Sequence, residues 1–235
     1  MKFKFKSGNK SFNIKPYNTE KEKEILLLKD LYDENSENLM DIILEIFELP
    51  NNIIESLTLK EKIALLWKYR SVSIGEEISI KYKCTSCKKP NEAQIDITNL
   101  ITSNKVDDDR IIYCEKELTE DNIQDFVNVD IDELDIDDYE ELYEKIKKAS
   151  INFNFKKTIK CAHCNNDNYI NIGNSEFVID FLSDDSITSL YQTYNNLIYF
   201  GKYSKIDIDS MLPFERVIFI GLLNKTREDI SNGKW

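Results

Sequence analysis

The chain opens with an alternation of apolar and polar residues. Phe3 and Phe5 share one side, Lys2, Lys4 and Lys6 the other, and Phe12 and Ile14 repeat the pattern after Ser7-Gly8-Asn9. A period of two is that of a half-buried strand, so residues 2–15 are expected to form a hairpin, its lysine face solvated as an edge. The period then lengthens. Thr19-x-x-Glu22 has the form of a capping box ahead of Ile25, Leu28, Leu31 and Tyr32. Ser36 opens a second run with Leu39, Ile42, Ile43, Ile46 and Phe47 on one side, ending near Pro50. Thr58-x-x-Glu61 is another capping box, followed by Leu59, Ile63, Leu66, Trp67 and Arg70 at helical spacing and by Gly75 at the exit. Trp67 is expected to pack against neighbouring elements.

Period two returns twice more. Ile78, Ile80 and Tyr82 lead into one segment and Ala93, Ile95 and Ile97 lead out of it; Ile151, Phe153 and Phe155 lead into another, with Ile170 and Ile172 following. Between them, a strand is expected at 110–113 and a helix at 138–148 with Tyr139, Leu142, Tyr143 and Ile146 on one face. Asp185 or Ser186 can cap a helix carrying Ile187, Leu190, Tyr191, Tyr194, Leu197 and Ile198 up to Gly201. A last helix enters through Pro213 and displays Phe214, Val217, Ile218 and Leu222. These stripes are expected to face the core.

Each later hairpin segment turns at a Cys-x-x-Cys knuckle, Cys84-Thr85-Ser86-Cys87 and Cys161-Ala162-His163-Cys164. Sliding the chain by 77 residues superimposes Cys84 on Cys161, Cys87 on Cys164, Asn91 on Asn168 and Ile95 on Ile172. Two knuckles supply the four thiolates of a closed tetrahedral zinc site, which is structural because no position is left for water or substrate. The readings weighed against zinc are a redox dithiol, a pair of disulfides, free buried cysteines, and His163 as a substitute ligand. An interval of 73 residues separates the pairs, so the metal would staple two distant parts of the chain.

The fifth cysteine, Cys114, reads as a small buried hydrophobe beside Ile111 and Ile112. Five cysteines and the absence of a signal-peptide core fit a reducing compartment or a particle assembled in one. No apolar run is long enough to span a bilayer, so no membrane partner is expected. The formal charge of −12 is uneven: residues 107–145 hold 17 acidic and 3 basic residues, a net of −14, leaving the rest at +2. With no dense basic stripe to displace counterions, nucleic acid is not an expected partner. The acidic block reads first as a solvated face and second as a surface for a basic partner. His163 is the single histidine, and the six glycines form neither a phosphate cradle nor a dinucleotide turn, so the chain is read as non-enzymatic, with no catalytic residues assigned.

The expected fold is α+β, with helical N- and C-terminal parts around a split four-cysteine zinc ribbon of two β-hairpins and a long acidic insertion. The divisions are residues 1–16, 17–72, 73–100 with 150–181, 101–149 and 182–235. This layout resembles the baseplate hub or hub-assembly protein family of T4-like contractile-tailed phages over about residues 36–230. The residues that carry the resemblance are Ile78-Ser79-Ile80-Lys81-Tyr82-Lys83-Cys84-Thr85-Ser86-Cys87 with Asn91-Glu92, and Met211-Leu212-Pro213-Phe214-Glu215-Arg216. The resemblance implies a non-enzymatic virion or assembly role in the tail baseplate, assembled in the host cytoplasm, through contacts with other tail proteins. The expected metal ligands are Cys84, Cys87, Cys161 and Cys164. The alternatives are a zinc-ribbon accessory factor in transcription or replication and a zinc-stapled adaptor of another complex.

Overall fold

The computed structural model describes residues 3–7, 10–31, 36–102, 108–112 and 118–232. Lys2, Gly8, Asn9, Tyr32, Tyr113 and Cys114, all used above, lie outside them. The elements are helices and short antiparallel hairpins, an α+β composition. β1 (Phe3–Ser7) pairs with β2 (Lys10–Ile14), burying Phe5 against the Phe12 ring and exposing Lys4 and Lys6. The described residues fall into two compact units, one built on Ile14–Thr98 and the chain from Lys156 onward, the other on Asn99–Phe155 with Lys4–Asn13.

The first unit starts with α1 (Thr19–Leu31). Its expected capping box does not form: Asn18 Oδ1 accepts the Lys21 amide at 3.1 Å instead, and both box residues are taken by distant partners. Thr19 Oγ1 donates to the Met211 carbonyl at 2.9 Å, and buried Glu22 pairs with Arg216. The helix turns Ile25 and Leu26 inward and leaves Leu31 79% exposed, so its buried face is narrower than the 25/28/31 stripe read from the sequence. α2 (Ser36–Ile46) buries Leu39, Met40, Ile43 and Leu44. The short α3 (Asn51–Ser56) was not anticipated.

α4 (Leu59–Ser73) begins at Thr58 with both capping-box bonds in place and is buried on most of its circumference. Gly75 lies at its end, and β3 (Glu77–Lys83) and β4 (Pro90–Asp96) follow as an antiparallel hairpin. β7 (Lys156–Lys160) and β8 (Asp167–Asn171) form the equivalent second hairpin after the intervening unit. α4 holds the base of that second hairpin. Trp67 Nε1 donates to the Ile172 carbonyl at 2.9 Å, and its ring packs against Phe177 and Phe181 of and just beyond α6 (Ser175–Asp180).

α7 (Ile187–Tyr199), capped by Ser186, contributes Leu190, Tyr194 and Leu197 to a core with Leu26 and with Ile208 of α8 (Lys205–Ser210). α9 (Pro213–Ser231) starts with Pro213 in its first turn, as expected. Its orientation is the reverse of the expected one. Ile220 and Leu223 pack inward while Val217, Ile218 and Leu222 face solvent. The buried Arg216 fixes that rotation: its guanidinium contacts Glu22, Thr19 Oγ1 at 3.0 Å and Asp185 at 2.6 Å.

In the second unit, α5 (Ile136–Ala149) is capped by Asp135 and buries Leu142 and Ile146. These meet Ile123, Phe126 and Val127, with Val129, Ile131, Leu134, Tyr139 and Tyr143 packed around them. The expected strand at 110–113 is represented among the described residues by one bridge, Ile111 to Val127. β5 (Ile101–Thr102) pairs with β6 (Asn152–Phe153). The alternation Ile151, Phe153, Phe155 therefore does not run into the second knuckle, since the hydrogen-bonding partner of Phe153 is Ile101, and the strand at the knuckle is the lysine-rich β7.

Candidate metal centre

The two hairpins end alike. Lys83 pairs with Pro90 and Lys160 with Asp167, the last register positions before each knuckle. In the first knuckle the Cys84 amide donates to the Lys89 carbonyl at 3.0 Å and Lys88 N donates back to Cys84 O at 3.0 Å; in the second the Cys161 amide donates to Asn166 O at 2.9 Å and Asn165 N to Cys161 O at 2.9 Å. Lys88 and Asn165, 77 residues apart, both adopt left-handed backbone angles with φ of 60° and 57°. That reversal is what turns each chain back under its thiols.

The knuckles meet. The sulfurs of Cys84, Cys87, Cys161 and Cys164 all lie within 4.8 Å of one another, with Cys84–Cys164 and Cys87–Cys161 both at 3.7 Å. A disulfide needs about 2.05 Å, so neither pair is bridged. A tetrahedral ion bound at about 2.3 Å sets neighbouring sulfurs about 3.8 Å apart, which the observed spacing fits. A redox dithiol would need one pair, whereas here two converge. The imidazole of His163 is outside the cluster, its Nε2 3.3 Å from the Pro90 carbonyl.

The protonation of the thiols is uneven. The backbone amides of Cys87 and Ser86 bring Cys84 down to about 6 against the opposing effect of burial. At Cys161 burial resists ionisation, but the amides of His163 and Cys164 outweigh it and lower the pKa. Cys164 receives the Asn166 amide, yet burial and the three adjacent sulfurs raise it to about 11. Four thiolates cannot crowd together without a cation between them. The donor set is therefore compatible with a soft divalent ion.

Two residues assigned no role from the sequence complete the site. Asn91 Oδ1 accepts the Ala162 amide at 3.0 Å and lies 3.4 Å from Cys161 Sγ; Asn168 Oδ1 accepts the Thr85 amide at 2.8 Å, and its Nδ2 approaches Cys84 Sγ at 3.7 Å. Both asparagines are buried. Their coincidence in the 77-residue overlay was the signal for them.

No helix among the described residues is long and apolar enough to cross a membrane. No curated protein and no solved structure matches the chain. Residues 1–111, which include the first cysteine hairpin, match the family model described as T4 bacteriophage base plate protein, and this match supports a baseplate protein of the T4 type.

Proposed function

We propose that this protein is a structural or assembly component of the hub region of a contractile-tail baseplate, acting through protein–protein contacts, with one structural zinc held by Cys84, Cys87, Cys161 and Cys164. The observation that carries the baseplate role is the family match over residues 1–111. The zinc reading is supported by four sulfurs within 4.8 Å of one another on two separate hairpins. Zinc suits an all-thiolate tetrahedral set, and with four protein ligands it would act as a crosslink and not as a catalyst. Its contribution would be to hold the hairpins at 77–96 and 156–171 together although the chain between them folds as a separate unit. A component of an assembled particle must present fixed surfaces, and such a crosslink limits relative motion. The acidic residues 107–145 would meet a basic surface on another tail protein, and the N-terminal hairpin offers a strand edge. The net charge of −12 disfavours a phosphate-backbone partner.

Peptide mass spectrometry of purified tails and of baseplate assembly intermediates tests the role. The chain should be found in one or both, and its absence from both overturns the assignment. Elemental analysis of protein purified without chelator should return one zinc per chain, and a metal-free result removes the zinc.

A further inference from the structure

The four cysteines of the metal centre differ in what surrounds them. Cys84 and Cys161 are buried, Cys87 is half-buried and Cys164 is exposed. Each sulfur has a partner at 3.7 Å, Cys84 with Cys164 and Cys87 with Cys161, and both pairs join one hairpin to the other. Contacts that use no metal hold the hairpins in this relation. Asn91 accepts the Ala162 amide at 3.0 Å, Asn168 accepts the Thr85 amide at 2.8 Å, and the Tyr82 hydroxyl donates to the Lys160 carbonyl at 3.3 Å. Closing either cross pair to a disulfide, at about 2.05 Å, takes a movement of about 1.7 Å. Within a knuckle the bond would instead have to form across a turn that is already fixed. Cys84 is tied at its amide to Lys89 and at its carbonyl to Lys88, and Cys161 likewise to Asn166 and Asn165.

We propose that this centre is a redox-exchangeable crosslink, in which a peroxide replaces the zinc by two disulfides between the hairpins, Cys84 with Cys164 and Cys87 with Cys161. The inference rests on the zinc reading above and concerns the regulation of that same site. Oxidation starts at Cys164, where solvent reaches the sulfur. Its thiolate attacks the peroxide, breaking the O–O bond to give a sulfenic acid and one hydroxide; the Cys84 thiolate then attacks the sulfenic sulfur, forming the S–S bond and expelling a second hydroxide. Two thiolates have lost two electrons to one peroxide. Cys87 and Cys161 follow with a second peroxide, after which no thiolate remains to hold a cation. Unlike removal of the metal by a chelator, this exchange leaves the two hairpins joined. It suits a particle put together in a reducing cytoplasm and released into an oxidising medium.

Titration of the zinc-loaded full chain with hydrogen peroxide tests it, released metal being read with a chromophoric chelator and the disulfides mapped on peptides cut without reduction. Trypsin acting on the unfolded chain leaves Cys84 and Cys87 on one peptide and Cys161 and Cys164 on another, so linked peptides report bonds between the hairpins and fragmentation assigns the sulfurs. Two peroxides per chain, one for each sulfur pair, should release the zinc, with Cys84–Cys164 formed first. Dithiothreitol with added zinc should restore the starting state. Digestion of the folded chain gives a second reading: Lys83, Lys88, Lys156 and Lys160 should be cleaved rapidly after chelation and stay protected after oxidation. Disulfides within each knuckle, sulfinic or sulfonic acids in place of disulfides, zinc retained through the titration, or an oxidised chain as open to trypsin as the chelated one each overturns the proposal and leaves the zinc reading standing. A chain that holds no zinc before peroxide is added overturns both.

Discussion

Asn91 and Asn168 cross between the two cysteine knuckles in opposite directions, Asn91 accepting the Ala162 amide and Asn168 the Thr85 amide, at 3.0 and 2.8 Å. Each stands seven residues after the first cysteine of its own hairpin, and each reaches the residue just after the first cysteine of the other. The contacts are reciprocal, as they are across a twofold axis. The sulfur pairs at 3.7 Å, Cys84 with Cys164 and Cys87 with Cys161, obey the same exchange. A repeat in the sequence has thus become two halves of one site.

If this reciprocity sets the thiol geometry, Asn91→Ala and Asn168→Ala should each weaken metal binding about 10- to 100-fold, as loss of a hydrogen-bond partner around a metal site does. Competition with a chromophoric chelator measures it. A large effect from one asparagine and none from the other would show that the halves are not equivalent.

Removing the metal should open both hairpins, because structural zinc supplies binding energy on the order of 10 kcal/mol in small metal-folded domains. Cys161→Ser, or chelator on the wild type, is expected to make Lys83, Lys88, Lys156 and Lys160 new sites of rapid trypsin cleavage, all of them exposed residues at or near the knuckles. An unchanged digestion pattern would remove the crosslink from the account of stability.

Arg216→Met should destabilise the first unit by about 3–5 kcal/mol, since it leaves the Glu22 carboxylate buried without its cation and leaves Asp185 with one fewer partner. Adding Glu22→Leu should recover part of the loss by removing the stranded charge. Urea denaturation of the two variants and the wild type gives the comparison, and a double variant no more stable than the single one argues against a pairwise origin.

Asp108 accepts hydrogen bonds from Arg110 and Lys145, and these outweigh burial to hold its carboxyl well below the usual carboxylate range. Because the folded pKa is depressed, the stabilisation is complete above the unfolded value of about 4 and is lost as pH falls from there through the folded value. Asp108→Asn should lower protection of the α5 amides at neutral pH and flatten its decline under acid. Hydrogen exchange at pH 7 and pH 3 reads both effects.

Much of the architecture depends on neighbours close in sequence and was legible there. Thr58 caps α4 through Glu61, three residues on; Pro213 and Ser186 start α9 and α7; and the 77-residue repeat marks both knuckles. Such signals survive folding because the bonds they describe close within one turn or one hairpin. Tertiary structure decided the positions where a distant partner competed. Thr19 and Glu22 satisfy a local capping rule equally well, but Arg216, 194 residues beyond Glu22, takes the carboxylate, because a buried guanidinium without a counter-charge costs more than one helix cap. The same arginine turns the apolar stripe of α9 outward, and the strand at Phe153 leaves the second knuckle to pair with Ile101. Periodicity shows that a face is apolar; which neighbour covers it depends on contacts made across the whole length of the chain.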